Sequence, residues 1–163
     1  TQWLHDQFRK DHSGSGTYSR AVAAVRRLQN HGIQPDLLCT VTSAAAKEPL
    51  AVYRALKNLQ TGWIQFIPIV RRTADGLVTP DSVTGEGYGD FLCTIFDEWI
   101  HNDLGQLDIQ LKRLWYGPGE LQAYAGWPRH AAGCSLLSRM AAYIRAITLL
   151  LPTTGSVPLK LHP

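Results

Sequence analysis

Leu37-Leu38-Cys39-Thr40-Val41 and Trp63-Ile64-Gln65-Phe66-Ile67-Pro68-Ile69-Val70 are the two stretches on which the fold turns. Each is a short, nearly continuous apolar run, the pattern expected of a strand buried on both faces of a parallel sheet. Between them Pro49 stands where the first turn of a helix tolerates it. Leu50, Tyr53, Leu56 and Leu59 then mark an inner helical face as far as Gly62. Ahead of the first run, Thr17 to His31 predicts an amphipathic helix: Thr17 is a plausible N-cap, and Tyr18, Ala21, Val22, Val25 and Leu28 recur at helical spacing before Gly32 stops it. Beyond the second run a polar loop, Arg72 to Gly87, leads into a third helix over Tyr88 to Asn102. Tyr88, Phe91, Leu92, Ile95 and Trp99 share its inner face, and Gly105 closes it.

Helix, strand, helix, strand, helix with short connections is the order of parallel β/α units, so the fold class is α/β. Two strands do not make a parallel sheet with both faces covered. Further strands are therefore expected from upstream or from a partner chain. The abrupt opening in a polar amphipathic stretch, Gln2 to Lys10, is what a piece of a larger protein would show.

Composition narrows the function classes. The chain has 163 residues, 18% charged and 45% hydrophobic, with a formal net charge of +3. Its length suits one globular domain and demands neither disulfides nor a structural metal. The basic residues (Arg26, Arg27, Arg71, Arg72, Arg113) are scattered, which argues against a nucleic-acid surface. Thr1 to Arg9 has no apolar core of a signal peptide, and the longest apolar stretch, Met140 to Leu151, is broken by Arg145 and too short to span a bilayer. No membrane partner is expected, and the expected compartment is a reducing cytoplasm. Cys39, Cys93 and Cys134 form no Cys-x-x-Cys pair, and no histidine spacing completes a ligand set, so no metal-binding residue is assigned.

Local motifs are modest. Gly14-Ser15-Gly16 before a helix suits a simple turn better than a phosphate cradle, because no strand precedes it in the required way. His5 and Asp6 are adjacent and are expected to form a surface pair, since neighbours in sequence rarely face each other productively. Asp97 and Glu98 are expected on the wet face of the third helix. No catalytic residue is assigned.

Taken together, the segments resemble one family. His5-Asp6-x-x-Arg9, Gly14-x-Gly16-Thr17-Tyr18 and Ile64-Gln65-Phe66-Ile67-Pro68 are similar to the second half of the radical S-adenosylmethionine (SAM) core of anaerobic sulfatase maturases. Val78-Thr79-Pro80, Tyr88-Gly89-Asp90-Phe91-Leu92, Ile95-Phe96-Asp97-Glu98-Trp99, Asp103 and Gly105 continue the likeness in order. The first motif is shared by many peptide-modifying radical SAM proteins; the Gln65-to-Pro68 stretch combined with Phe91-to-Trp99 is narrower. Arg71 departs from the pattern, since the family often has Glu before the arginine matching Arg72.

This resemblance implies a partial (β/α) TIM-type barrel over residues 1–110, the second half of a radical SAM core, followed by an irregular or helical tail over residues 111–163. It implies an activity that oxidises a Cys or Ser of a sulfatase polypeptide to Cα-formylglycine. The intact family uses SAM and 4Fe-4S clusters, the first held by an N-terminal Cys-x3-Cys-x2-Cys motif and the others by a C-terminal SPASM domain. That N-terminal motif does not occur in this sequence. The chain is therefore expected to be an inactive fragment that binds neither cofactor by itself. By carry-over, Arg9, Thr42, Ile64 and Gln65 would form the rim of the SAM and peptide site, near the C-terminal ends of the strands. The alternatives are another radical SAM peptide-modifying enzyme, or a non-catalytic interaction domain. A half-barrel would leave strand edges open, so aggregation or self-association through them is expected.

The tail stops matching at about Gln110. Read one nucleotide earlier, the codons of Arg139 to Leu149 can encode Asp-Gly-Gly-Val-Tyr-Ser-Cys-Asp-His-Phe. Those of Ala131, Ala132 and Gly133 can encode Cys-Gly-Arg, and that of Ala125 can encode Cys. These are motifs of the family's cysteine-rich domain, in order and spacing. A frameshift near Gln110 to Lys112 is therefore expected, the alternative being a diverged tail.

Overall fold

The computed structural model of the chain describes residues 1–110. The expected tail, residues 111–163, lies outside the described residues.

The elements run α1 (Gln2–Phe8), α2 (Tyr18–Asn30), β1 (Leu37–Val41), α3 (Ser43–Ala46), α4 (Pro49–Lys57), β2 (Trp63–Pro68), α5 (Gly85–Asn102) and β3 (Asp108–Ile109). The strands form one parallel sheet in the order β1-β2-β3. Leu37 pairs with Ile64 and Val41 with Pro68, and Trp63 pairs with Asp108. The α/β class and both main strands are as the sequence predicts. The third, two-residue strand is an addition that its brevity hid.

The helical layer covers one face of the sheet. Val41 of β1, Ile64 and Phe66 of β2 and Ile109 of β3 point into a core completed by Val52, Tyr53, Tyr88, Phe91, Leu92, Ile95 and Trp99. The Phe66 and Phe91 rings meet edge to face at 5.3 Å, a geometry that favours their quadrupoles. Two buried polar groups are satisfied across the layers: the Tyr88 hydroxyl donates to Phe66 O at 2.9 Å, and Trp99 Nε1 donates to Leu107 O at 2.7 Å. Full burial of an aromatic or aliphatic side chain contributes about 1.5–3 kcal/mol, so this cluster dominates the stability of the described residues.

Several local expectations are corrected. β1 is not buried on both faces: Leu38 is 62% exposed and Thr40 is exposed. Among the described residues helices cover one face of the sheet, and alternate strand residues point away from them. The inner face predicted for α2 is not buried; no residue of this helix is. Gln2 to Lys10 contains a short helix that its polarity concealed. α4 ends at Lys57 rather than near Gly62, and α5 starts at Gly85. There the Thr84 hydroxyl accepts the Gly87 N–H at 3.1 Å, an N-cap that a search for apolar periodicity passes over. Glu98, expected on the wet face of this helix with Asp97, is half-buried and pairs with Arg54 at 3.3 Å. Among the described residues no helix is long and apolar enough to cross a membrane.

Candidate functional site

In a parallel β/α layer the loops that follow the strands gather at one end, where side chains from separate units converge. Here that end is built by the turn after β1 and the long loop after β2. The backbone stitches them: Ile69 N donates to Val41 O at 2.9 Å, Ser43 N to Asp81 O at 3.0 Å, and the Ser43 hydroxyl to Pro80 O at 2.8 Å. Ser82 Oγ accepts the Arg71 N–H at 2.9 Å, and the Arg71 guanidinium meets the Asp81 carboxylate. Hydrogen bonds to Asp81 from Thr79 and Arg71 outweigh burial and hold its carboxyl below the usual range. Arg71, the departure from the family pattern, therefore has a partner within its own loop. The loop folds back as a narrow antiparallel excursion, with Arg72 bridged to Val78 and a turn at Gly76.

The second component is the motif His5-Asp6-x-x-Arg9 with Gly14-x-Gly16-Thr17-Tyr18. Asp6 Oδ1 accepts the Tyr18 N–H at 2.8 Å, capping α2 from outside the helix, and lies 3.1 Å from His5 Nδ1. His5 and Asp6 thus form the expected pair, half-buried rather than fully at the surface. The His5 ring also meets the Tyr18 ring edge-on at 5.6 Å. Burial raises the Asp6 carboxyl, but the bonds from Tyr18, His5 and Gln2 and the charge of His5 outweigh it and keep its pKa low. Gly14-Ser15-Gly16 is a turn, as the sequence suggests: Gly14 N donates to Asp11 O, and Asp11 Oδ1 accepts the Ser13 and Ser15 N–H groups. A phosphate cradle is disfavoured because the Asp6 carboxylate already occupies the start of α2.

The four rim residues fall in different places. Arg9 is exposed and follows α1; its N–H donates to His5 O at 2.9 Å, and its carbonyl accepts from Thr17 N at 3.1 Å and Thr17 Oγ1 at 3.0 Å. Thr42 directly follows β1 and is buried, its hydroxyl accepting the Ala45 N–H at 3.2 Å as the cap of α3. Ile64 lies near the start of β2, fully buried on the helix-covered face. Gln65 is half-buried on the opposite face, in register with Leu38. The open face therefore brings together Leu38, Thr40, Gln65 and Ile67. Thr40 and Ile67, paired in register, were not singled out from sequence. Strand alternation from Gln65 was the signal that could have found them.

The described cysteines are poor ligands for an iron–sulfur cluster, which needs thiolates brought together. Burial pushes the Cys39 thiol up to about 11. Burial first, then the charges of Asp97 and Asp90, raises the Cys93 thiol. Among the described residues no three His, Cys, Asp or Glu side chains form a metal-holding group.

No family profile matches the chain. It is similar to a serine-type anaerobic sulfatase-maturating enzyme of Bacteroides thetaiotaomicron, 32% identical over 125 residues that cover 68% of this chain and 30% of the relative. A cysteine-type anaerobic sulfatase-maturating enzyme of Clostridium novyi is 24% identical over 105 residues, covering 64% of this chain and 28% of that one. The solved structure of native anSMEcpe with bound AdoMet and the Cp18Cys peptide superposes with a TM-score of 0.58 at 26% identity, over 71% of this chain and 33% of that one. The chain thus spans about 30% of the length of these curated relatives.

Proposed function

We propose that the chain is a fragment of the anaerobic sulfatase-maturating enzyme family, to which its curated relatives belong, and that residues 1–110 are the second half of a radical SAM (β/α) barrel. The observation that carries this reading is the one-sided sheet. Parallel strands carry helices on one face, while the other exposes Leu38 and Thr40 beside Gln65, as the lining of a barrel interior would be when seen from an open side. In this reading Arg9 and Thr42 are rim positions of a SAM and peptide site and Gln65, near the start of β2, lines the interior below them, while Ile64, near the start of the same strand and buried on the helix-covered face, does not reach the rim. Arg9 and Gln65 offer side chains to a ligand. Thr42 and Ile64 act by holding the turn and the sheet behind it.

The fit to the family's cofactors is uneven. The open face offers a carboxamide, a hydroxyl and aliphatic surface, which suit part of a nucleoside-like ligand. The described cysteines, Cys39 and Cys93, do not suit a cluster. The chain on its own is accordingly inactive in sulfatase maturation, and the sulfatase polypeptide is the substrate of the intact relatives' lineage. Residues 111–163 are read as out-of-frame translation of the cysteine-rich domain. Its support is that similarity covers only 64–71% of the chain and that the amino-acid sequence is compatible with a shifted frame encoding the Cys-Asp-His-Phe motif.

Two experiments test this. In a chimaera, residues 4–110 replace the corresponding segment of an intact relative. Retained SAM cleavage, weakened by Gln65→Ala or Arg9→Ala through KM for SAM, is the expected result; a folded chimaera insensitive to both substitutions overturns the rim assignment. The chain alone, reconstituted anaerobically with iron and sulfide, is expected to release no 5′-deoxyadenosine from SAM, and release would overturn its inactivity. The coding DNA decides the origin of the tail, since codons incompatible with the alternate frame exclude the frameshift.

A further inference from the structure

Arg9 is where α1 gives way to extended backbone, and its main chain is held on both sides. Its N–H donates to His5 O at 2.9 Å. Its carbonyl accepts twice from Thr17, from the N–H at 3.1 Å and from the hydroxyl at 3.0 Å. The chain between them closes as a small antiparallel loop, with Lys10 bridged to Gly16 and Asp11 N donating to Ser15 O at 2.9 Å. Among the described residues the Arg9 guanidinium makes no hydrogen bond or ion pair. The backbone of Arg9 is thus fixed while its charged end is left for a ligand.

Thr17 departs from what its position calls for. It is the N-cap of α2, where a threonine hydroxyl ordinarily accepts an N–H of the first turn. Here it makes no such bond and donates backwards to Arg9 instead. The Tyr18 N–H, at the start of the helix, is met by the Asp6 carboxylate at 2.8 Å. Asp6 therefore frees the Thr17 hydroxyl for a different task.

α2 carries this grip along the sheet. At its far end Arg26 Nη2 donates to Asn58 O at 3.0 Å, and Gln29 Nε2 donates to Leu59 O at 2.8 Å and Gln60 O at 3.1 Å. These carbonyls belong to the turn that leads into β2, and residues 31–36 lead from α2 into β1. The far end of α2 is therefore anchored where the strands begin. A helix that feeds a parallel strand runs antiparallel to it, because it returns the chain to the strand's start. With 13 residues α2 is about 20 Å long, the length of a strand of six residues such as β2. Its first turn, and Arg9 with it, is carried to the end where the strands finish.

We propose that Thr17 is a positioning residue for Arg9, holding the Arg9 carbonyl so that the guanidinium is presented to SAM at the strand ends. This rests on the reading of Arg9 as a rim residue of the SAM site.

The test uses the chimaera in which residues 4–110 replace the corresponding segment of an intact relative, reconstituted with iron and sulfide. The Kd for SAM is measured by calorimetry without reductant, and kcat and KM are measured for SAM cleavage. Thr17→Val removes the hydroxyl and keeps the N–H and the shape. It should raise Kd and KM about fivefold, the loss of one hydrogen bond, and leave kcat unchanged. Thr17→Ser keeps the hydroxyl and should stay within about twofold of the parent. Arg9→Ala should weaken SAM by itself, and Thr17→Val added to it should have no further effect, since Thr17 acts only through Arg9. Urea midpoints of the full chain should agree between Thr17→Val and Thr17→Ser.

If Arg9→Ala leaves SAM binding unchanged, the rim assignment fails and the positioning role with it. If Arg9→Ala weakens SAM while Thr17→Val does not, the positioning role alone is overturned. A Thr17→Val effect that persists undiminished beside Arg9→Ala, that Thr17→Ser shares, or that comes with a matching fall in the urea midpoint overturns it as well.

Discussion

Asp6 occupies the space that a side chain at residue 16 would need: a Cβ built on Gly16 would lie 2.2 Å from Asp6 Cγ. The motif His5-Asp6 and the motif Gly16-Thr17-Tyr18 are thus two halves of one contact. The carboxylate reaches the Tyr18 N–H at 2.8 Å only because residue 16 has no side chain. Gly16→Ala should destabilise the chain by about 1–3 kcal/mol, the range for overpacking, by pushing Asp6 off its donor. Gly87→Ala, whose added Cβ would meet Thr84 Oγ1 at 3.1 Å, should cost less. Urea denaturation of the two variants ranks them, and an equal or reversed order would refute the contact's importance.

The same carboxylate sets an acid limit. The low pKa of Asp6 in the folded state, below its ordinary value of about 3.9, means that protons bind more tightly to the unfolded chain. The stability it contributes is therefore present above pH of about 4 and is lost as the pH falls through the lowered folded value. Asp11 and Asp81, held low by their own hydrogen bonds, act in the same direction. Cys39 works at the other end: its raised thiol contributes stability that is full below about pH 8.5 and lost as the pH rises towards 11. Urea midpoints between pH 6 and pH 2 should fall, and Asp6→Asn should flatten that fall.

Asp103 is 1% exposed, accepts the Tyr53 hydroxyl at 2.7 Å and pairs with the Lys57 ammonium. This group joins the end of α5 to α4. Burial, then the bond to Asp103 and its negative charge, pushes the Tyr53 phenol well above its ordinary value, so it remains the donor. Lys57→Met leaves a buried carboxylate with one neutral partner and should cost about 2–3 kcal/mol, below the usual 3–5 for a buried pair because Lys57 is 42% exposed. Adding Asp103→Asn should recover part of that loss. A double variant less stable than Lys57→Met alone, by thermal or urea denaturation, would show that the charge of Asp103 is not the cost.

β1 lies at one edge of the described sheet, and Leu38 is 62% exposed on its open face. Uncapped edges with exposed aliphatic side chains template association. Leu38→Lys should lower self-association in sedimentation velocity without lowering stability. A monomeric parent at high concentration would show that this edge does not recruit another chain.

Much of the fold was legible because the informative signals are local. Leu37 to Val41 and Trp63 to Pro68 are continuous apolar runs. Tyr88, Phe91, Leu92, Ile95 and Trp99 have one helical period, and all five are buried. What escaped was short or held by polar contacts: the two-residue β3, the Thr84 cap, and α1 with its single buried Leu4. The candidate site was legible only as positions. Strand parity separates Gln65 on the open face from Ile64 in the core, but sequence does not say which face the helices take.

By itself, then, the sequence determined the α/β class, the order of the units and the likeness to sulfatase maturases, because apolar periodicity and motif order are properties of the chain read along its length. Tertiary structure alone decided which face of the sheet stays open, that Asp6 caps a helix twelve residues away, and that α2 is latched by Arg26 and Gln29 rather than packed by its apolar stripe. Those outcomes depend on which distant groups arrive at each surface. An amphipathic pattern specifies that a face is suited to burial; only the neighbours present in space determine whether it is buried.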